Sequence, residues 1–203
     1  MIKIDEILKN KTLFIFAFLI IIFACMGFFF PELKQDTKHY KSNAKFSNDC
    51  IRDYKEIFVN EVCDGDTISI TKCSNEEKEN KIRLLGIDAF EMKQNEYGKI
   101  AKNYLSDLIL KKNVCIELDL EKHDIYGRTL GYVFLGSADN HILFINEDLV
   151  KNGLALLSTI KPNTKHTDAL KKAQAHAREN MLGVWINGNT IKETPYEFRH
   201  KKN

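Results

Sequence analysis

Hydropathy changes character sharply along this chain. Leu13 to Phe30 is an unbroken apolar run of 18 residues, LFIFAFLIIIFACMGFFF, with no charged or strongly polar side chain. As a helix rising about 1.5 Å per residue it reaches about 27 Å, close to the hydrocarbon thickness of a bilayer. A core helix keeps a polar side toward water, so this run predicts one N-terminal transmembrane or signal helix. Lys3, Lys9 and Lys11 precede it, partly offset by Asp5 and Glu6. That balance puts Met1 in the cytoplasm and the rest of the chain outside. An uncleaved anchor is favoured over a cleaved signal peptide, because the apolar run offers only Cys25-Met26-Gly27 as a small-residue site. Residues 31–52 are polar without a sustained period and read as a tether.

Beyond the tether the pattern turns strand-like. Lys55 to Cys63 and Thr67 to Cys73 carry Ile, Val and Thr around Asp64-Gly65-Asp66. They predict a hairpin whose glycine supplies an unusual dihedral. Ile82 to Ile87, Val114 to Leu120 and Thr129 to Leu135 are three more such runs. Five strands with glycine-marked corners predict a small closed barrel. Between them, Ile100, Tyr104, Leu105 and Leu108 form a helical stripe, and a short helix over Asn146 to Asn152 stops at Gly153. A third helix runs from Thr167 as N-cap through Leu170, Ala173, Ala177 and Met181 to Gly183. Val184 and Trp185 close the core, and the tail from Thr190 is polar. The reading is an α+β chain with segments 1–30, 31–52, a domain at 53–189 and a tail at 190–203.

Thirty Lys and Arg against 28 Asp and Glu leave a net charge of +2, which excludes holding a polyanion by bulk charge. Any nucleic acid must be held by local geometry. Cys50, Cys63, Cys73 and Cys115 follow the apolar run, where disulfides can form; the choice between pairings and free thiols stays open. No CxxC spacing suggests zinc, and no GxSxG, P-loop or dinucleotide motif is present. The carboxylates are more informative. Asp64 and Asp66 flank a hairpin corner, and Asp88 and Glu91 sit just past the third strand. If those turns adjoin, their repulsion calls for a cation, and oxygen-only ligands favour calcium or magnesium. Arg83, on the strand before Asp88, and Arg128, just before the fifth strand, add two guanidinium forks. Metal plus forks is what phosphodiester hydrolysis uses, since charge builds on the non-bridging oxygens. Glu91 is placed to orient or deprotonate a water.

These residues resemble the staphylococcal nuclease-like (thermonuclease) domain family over Glu56 to Ile186. The carriers are Val62-Cys63-Asp64-Gly65-Asp66-Thr67, Ile82 through Glu91, Asp124-Ile125-Tyr126-Gly127-Arg128, Asn146 through Ala155, and Gly183-Val184-Trp185. The resemblance implies an α+β, five-stranded OB-fold β-barrel with three helices and a calcium-dependent endonuclease acting on DNA and RNA, single strands preferred. It further implies Asp66, Asp88 and the Ala89 carbonyl as metal ligands, and Asp64 as an acidic neighbour acting at most through water. Glu91 is the implied general base, and Arg83 and Arg128 are the implied phosphate clamp. Tyr126 is the aromatic left for substrate binding. Two positions depart from the family: Phe90 stands where proline is usual, and Leu157-Ser158-Thr159-Ile160 lacks the tyrosines that pack on the nucleotide. The ring of Phe90 either packs on the barrel end or stacks on a base. The expectation is thus a monomeric nuclease tethered to the membrane through residues 13–30, with its domain on the periplasmic or extracellular side. The alternative is a catalytically weak or inactive nucleic-acid-binding module of the same fold.

Overall fold

The five expected strand runs are present, but two of them break where the chain changes partner, and two further short strands that the sequence pattern did not announce occur at Ile142–Phe144 and Ala155–Leu157. The computed structural model describes residues 55–74, 76–136, 142–186, 188 and 191–201. The apolar run 13–30, the tether 31–52 and Cys50 lie outside the described residues. In chain order the strands are β1 (Lys55–Phe58), β2 (Glu61–Val62), β3 (Thr67–Ser69), β4 (Lys81–Leu84), β5 (Ile87–Ala89), β6 (Asn113–Glu117), β7 (Thr129–Gly136), β8 (Ile142–Phe144) and β9 (Ala155–Leu157). The helices are α1 (Glu96–Ile109), α2 (Ile145–Lys151), α3 (Thr167–Glu179) and α4 (Pro195–His200).

The first run is one bent strand. β1 pairs antiparallel with β6, whereas β2 pairs antiparallel with β3. Between them the Val59 N–H donates to the Lys112 carbonyl and the Asn60 N–H to the Ser69 carbonyl, each at 2.9 Å. This crossing joins the two ends of a sheet ordered β1-β6-β7-β4-β3-β2, with β8 added to β7. Joining them closes the barrel and leaves no long free edge. Val62, Ile68, Ile82, Leu84, Val114, Ile116 and Val133 fill its interior. In β4 the buried Ile82 and Leu84 alternate with the half-buried Lys81 and Arg83, the period of two that turns Arg83 away from the core.

The third expected strand ends early. Gly86 has φ 76°, a left-handed conformation that costs glycine little, and here β4 gives way to β5. β5 pairs with β9, with Asp88 opposite Leu156, so Asp88 lies within a strand of its own rather than past one. The helical stripe also shifts. α1 buries Gly98, Ala101, Leu105 and Ile109, while Ile100 is exposed and Tyr104 and Leu108 are half-buried. Asn146 on α2 is fully buried, accepting from the Val133 N–H at 2.9 Å and donating to the Leu85 carbonyl at 2.8 Å. Those bonds tie α2 to the barrel while satisfying the buried amide.

At α3, Thr167 is the first helical residue rather than the cap, and the helix stops at Glu179, leaving Met181 exposed. His166 occupies the cap position without capping; its ring stands 4.5 Å from Tyr132 and 4.9 Å from Phe144, centroid to centroid. Its Nε2 lies 2.6 Å from Glu117 Oε2, and Lys165 Nζ pairs with Glu117 Oε1. Glu117 thus latches the segment between β9 and α3 onto β6. Burial pushes its carboxyl up, but the hydrogen bonds from His166 and Lys165 outweigh this and hold it below the usual glutamate value of 4.5. Tyr132 and Asp119 complete the neighbourhood, the phenol donating to Asp119 at 3.1 Å.

A lowered folded value means that this contribution to stability is complete above the unfolded value and is lost as pH falls through the folded one. Glu117→Gln is expected to cost about 1–3 kcal/mol near neutral pH, with the gap to wild type closing below the usual glutamate range. Urea unfolding at the two pH values reads both effects. Equal stability near neutral pH, or a gap that persists in acid, would contradict the latch.

The expected polar tail contains α4, so the described residues hold four helices rather than three. Thr194 and Glu197 form a reciprocal capping box, with Pro195 at the first turn. The extra helix follows from local chemistry, since each group satisfies a donor of the other's backbone. Cys63 and Cys73 form a disulfide that spans the β2–β3 hairpin, and Cys115 is a free, half-buried thiol. Trp185 is buried with Phe90, Leu156 and Ala177 in a second apolar cluster. No described helix is long and apolar enough to cross a membrane.

Candidate active site

The hairpin corner and β5 meet because Gly65 has no side chain. Its φ lies outside the left-handed region, so the expected unusual dihedral is not the reason for glycine here. A Cβ would stand 2.7 Å from the Ala89 Cβ and 2.8 Å from the Ala101 Cβ, closer than carbon atoms pack. The absence of that carbon lets Asp66 approach β5. Its Oδ2 accepts the Ala89 N–H at 2.7 Å, and its Oδ1 accepts the Thr67 hydroxyl at 3.1 Å. One residue before Gly65, Asp64 accepts the Asp66 N–H at 3.0 Å and bends the corner inward.

Arg83 joins the two carboxylate-bearing turns. Its Nε lies 3.1 Å from Asp66 Oδ1 and its Nη2 3.1 Å from Asp88 Oδ1, while Nη1 donates to the Leu84 carbonyl at 2.6 Å. Asp66 and Asp88 are 7% and 5% exposed, so the guanidinium offsets charge that water does not reach. Burial pushes the Asp64 carboxyl up to about 6, with the Asp66 charge adding to the rise. Burial also raises Asp88, against the lowering hydrogen bond from Arg199 and charge of Arg83. Glu91 follows two residues after Ala89, half-exposed, with its N–H donating to Gln94 Oε1 at 3.3 Å. The sequence-predicted Arg83, Asp66, Asp88, Ala89 and Glu91 therefore occupy one rim.

Arg128 stands apart from them. Its Nε pairs with Asp124 at 2.7 Å, and its guanidinium carbon lies 5.6 Å from the centre of the Tyr126 ring, which is 66% exposed. β4 and β7 run parallel with Arg83 opposite Leu130. At ordinary strand rise and spacing, Arg128 is then about 8 Å from Arg83 between Cα atoms. The terminal nitrogens of Arg128 have no partner among the described residues, and its side chain is 26% exposed.

Phe90 is 3% exposed, 6.2 Å from the Tyr97 ring and packed with Leu156 and Trp185. Of its two expected roles, packing is the one observed; a ring so covered cannot stack on a base. The segment without tyrosines lines an open groove of about 610 Å³ that includes Thr159, Lys161, Lys165 and Lys171, with no aromatic ring in its lining.

One residue at the rim has no motif to announce it. Arg199 on α4 places Nη2 3.0 and 2.8 Å from the two Asp88 oxygens and Nη1 2.8 Å from Glu91 Oε1. The Thr194-Pro195-Tyr196-Glu197 capping signal marks the helix that carries it, but nothing local points this helix at residues 108 positions earlier.

The family model described as staphylococcal nuclease homologue matches residues 81–187, a span that holds Arg83, Asp88, Glu91 and Arg128 and begins after Asp66. A thermonuclease of Staphylococcus intermedius is 38% identical over 132 residues, 63% of this chain and 74% of that protein. A thermonuclease of Staphylococcus hyicus is 33% identical over 174 residues, 83% of this chain and 96% of that one. Endonuclease YhcR of Bacillus subtilis is 32% identical over 160 residues, 72% of this chain but 13% of that longer protein.

Proposed function

The chain belongs to the staphylococcal nuclease family, and we propose that it is a calcium-dependent endonuclease hydrolysing phosphodiester bonds of DNA and RNA. The observation that carries the reading is the convergence of Asp66 and Asp88 on Arg83, with Glu91 on the same turn. A surface that only bound a polyanion would not gather carboxylates at this point.

The donors fit a hard divalent cation. They are carboxylate and carbonyl oxygens without thiolate or imidazole, and the Asp88 and Glu91 oxygens already hold a guanidinium cation. Among the described residues no three acidic, His or Cys groups form a ready-made cluster, so the proposed set is Asp66, Asp88 and the Ala89 carbonyl, completed by water. Calcium held there would supply positive charge at the scissile phosphate. Glu91 accepts the proton of the water that attacks phosphorus. The remaining N–H groups of Arg83 and the unpaired terminal nitrogens of Arg128 donate to the non-bridging oxygens, where charge grows as the water oxygen bonds to phosphorus; the ester P–O bond then breaks and the leaving oxygen takes a proton from solvent. Tyr126, exposed beside Arg128, takes an unpaired base on its face, which favours single strands. Lys161 and Lys171 in the neighbouring groove meet the phosphates of the continuing strand.

The 18-residue apolar run supports a tether holding this monomeric domain on the outer side of a membrane. A second reading, a nucleic-acid-binding module that does not cut, is favoured by one observation: Arg199 spans both Asp88 and Glu91. The test uses alkaline-washed membranes bearing the full chain, with single-stranded DNA added from the outer side in calcium. Retention and cleavage are expected together. A shortened soluble chain beginning near Phe28 would contradict the tether, and DNA retained uncut would favour the module.

A further inference from the structure

Arg199 is delivered by a segment anchored at several points. Ile191 packs on the cluster of Phe90 and Trp185. Gln94 Nε2 donates to the Glu193 carbonyl at 3.0 Å, and Lys201 Nζ lies 2.6 Å from Glu193 Oε1. Pro195 is buried, and the capping box closes the first turn of α4. A helix of six residues does not hold itself together in water, so its order here comes from the cap and from docking against the rim. The docked helix ends in a charge-assisted fork across two acidic side chains.

Those oxygens are the ones the proposed function requires. We infer that α4 is a gate built into the chain: Arg199 occupies the Asp88 and Glu91 carboxylates, and α4 moves off the rim before they take up a divalent cation or a water proton. The inference rests on the proposed function for what the carboxylates bind, and on the observed contacts for what covers them. The Glu91 half of the fork is open to water, with side chains 37% and 35% exposed, and contributes modestly, so the bond to the more buried Asp88 is the main hold on α4. Asp66 is bonded to Ala89 and Thr67 rather than to α4, so the gate controls access without dismantling the site.

A closed population lowers apparent affinity by the fraction that is open, and removing the closure restores it. Calcium binding by the full chain, measured by isothermal titration calorimetry, is therefore expected to tighten about tenfold in Arg199→Gln. Thr194→Ala, which removes the cap but touches neither carboxylate, is expected to move affinity in the same direction. Hydrogen exchange at residues 196–200 is expected to quicken when calcium is added to wild type. Wild-type affinity in both variants overturns the gate and leaves the nuclease reading standing. No calcium binding by any of the proteins overturns the gate and the calcium assignment together. Tightened binding with no DNA cleavage supports the gate and defeats the nuclease reading.

Discussion

Asp88→Ala is expected to lower phosphodiester cleavage by about 10³-fold or more, and Asp66→Asn to do the same, with the fold intact in both. Each removes a negatively charged oxygen donor from the proposed calcium site, where the cation contributes several kcal/mol of transition-state stabilisation. Each 1.36 kcal/mol is a factor of ten, so a loss of about 4 kcal/mol gives roughly that reduction. Asparagine is the better test at Asp66, because Oδ2 accepts the buried Ala89 N–H at 2.7 Å and alanine would leave that donor unpaired. An unpaired buried donor costs about 1–3 kcal/mol of stability and would confuse loss of chemistry with loss of fold. At Asp88 both oxygens face arginines, so alanine strands no backbone group among the contacts observed. Thermal melts near wild type together with near-wild-type cleavage in either variant would remove these carboxylates from the reaction.

Arg83→Lys is expected to lower turnover by about 10²- to 10³-fold with a much smaller change in substrate binding. The charge is kept, but a single ammonium cannot reach Asp66, Asp88 and the Leu84 carbonyl at once while offering donors to a phosphate. Arg128→Lys serves as the contrast, because Arg128 touches neither Asp66 nor Asp88 and its effect must come through the substrate. A pH–rate profile separates the two: Arg83→Lys shifts the positive charge and removes hydrogen bonds at both carboxylates, whereas Arg128→Lys leaves their surroundings as they were. Wild-type turnover in Arg83→Lys would make that arginine a structural counter-ion only.

Local chemistry made most of the barrel and rim legible in the sequence. Alternation located the strand runs up to β7, Asp64-Gly65-Asp66 marked a corner, and the order of Arg83, Asp88 and Glu91 put three candidate site residues close together along the chain, whereas β8 and β9, three residues each, are too short to show a period. What escaped were choices of partner. Nothing in Lys55 to Val62 states that one half pairs with β6 and the other with β3, because apolar content marks a strand without naming its neighbour. Gly86 was visible as a residue, yet its φ of 76° and the separate pairing of β5 depend on β9, nearly 70 residues later. Gly65 suggests a dihedral requirement in the sequence, whereas the constraint is the approach of Ala89 and Ala101 from two distant elements. The C-terminal helix had a readable signal in Thr194-Pro195-Tyr196-Glu197, but its target did not, since the pairing of Arg199 with Asp88 and Glu91 is set by docking on the Phe90 and Trp185 cluster. Phe90 likewise declares only that it is large and apolar; its burial among Leu156, Ala177 and Trp185 decides that it packs.

Calcium-dependent hydrolysis at Asp66 and Asp88 is tested most directly by the rate at which the full chain cuts single-stranded DNA in calcium, in chelator, and after calcium is restored. The expected result is rapid cleavage in calcium, loss of cleavage in chelator by about 10³-fold or more, and full recovery on restoring the ion, with Asp88→Ala inert throughout. Cleavage in chelator at the rate seen in calcium, or cleavage by Asp88→Ala at the wild-type rate, would contradict it.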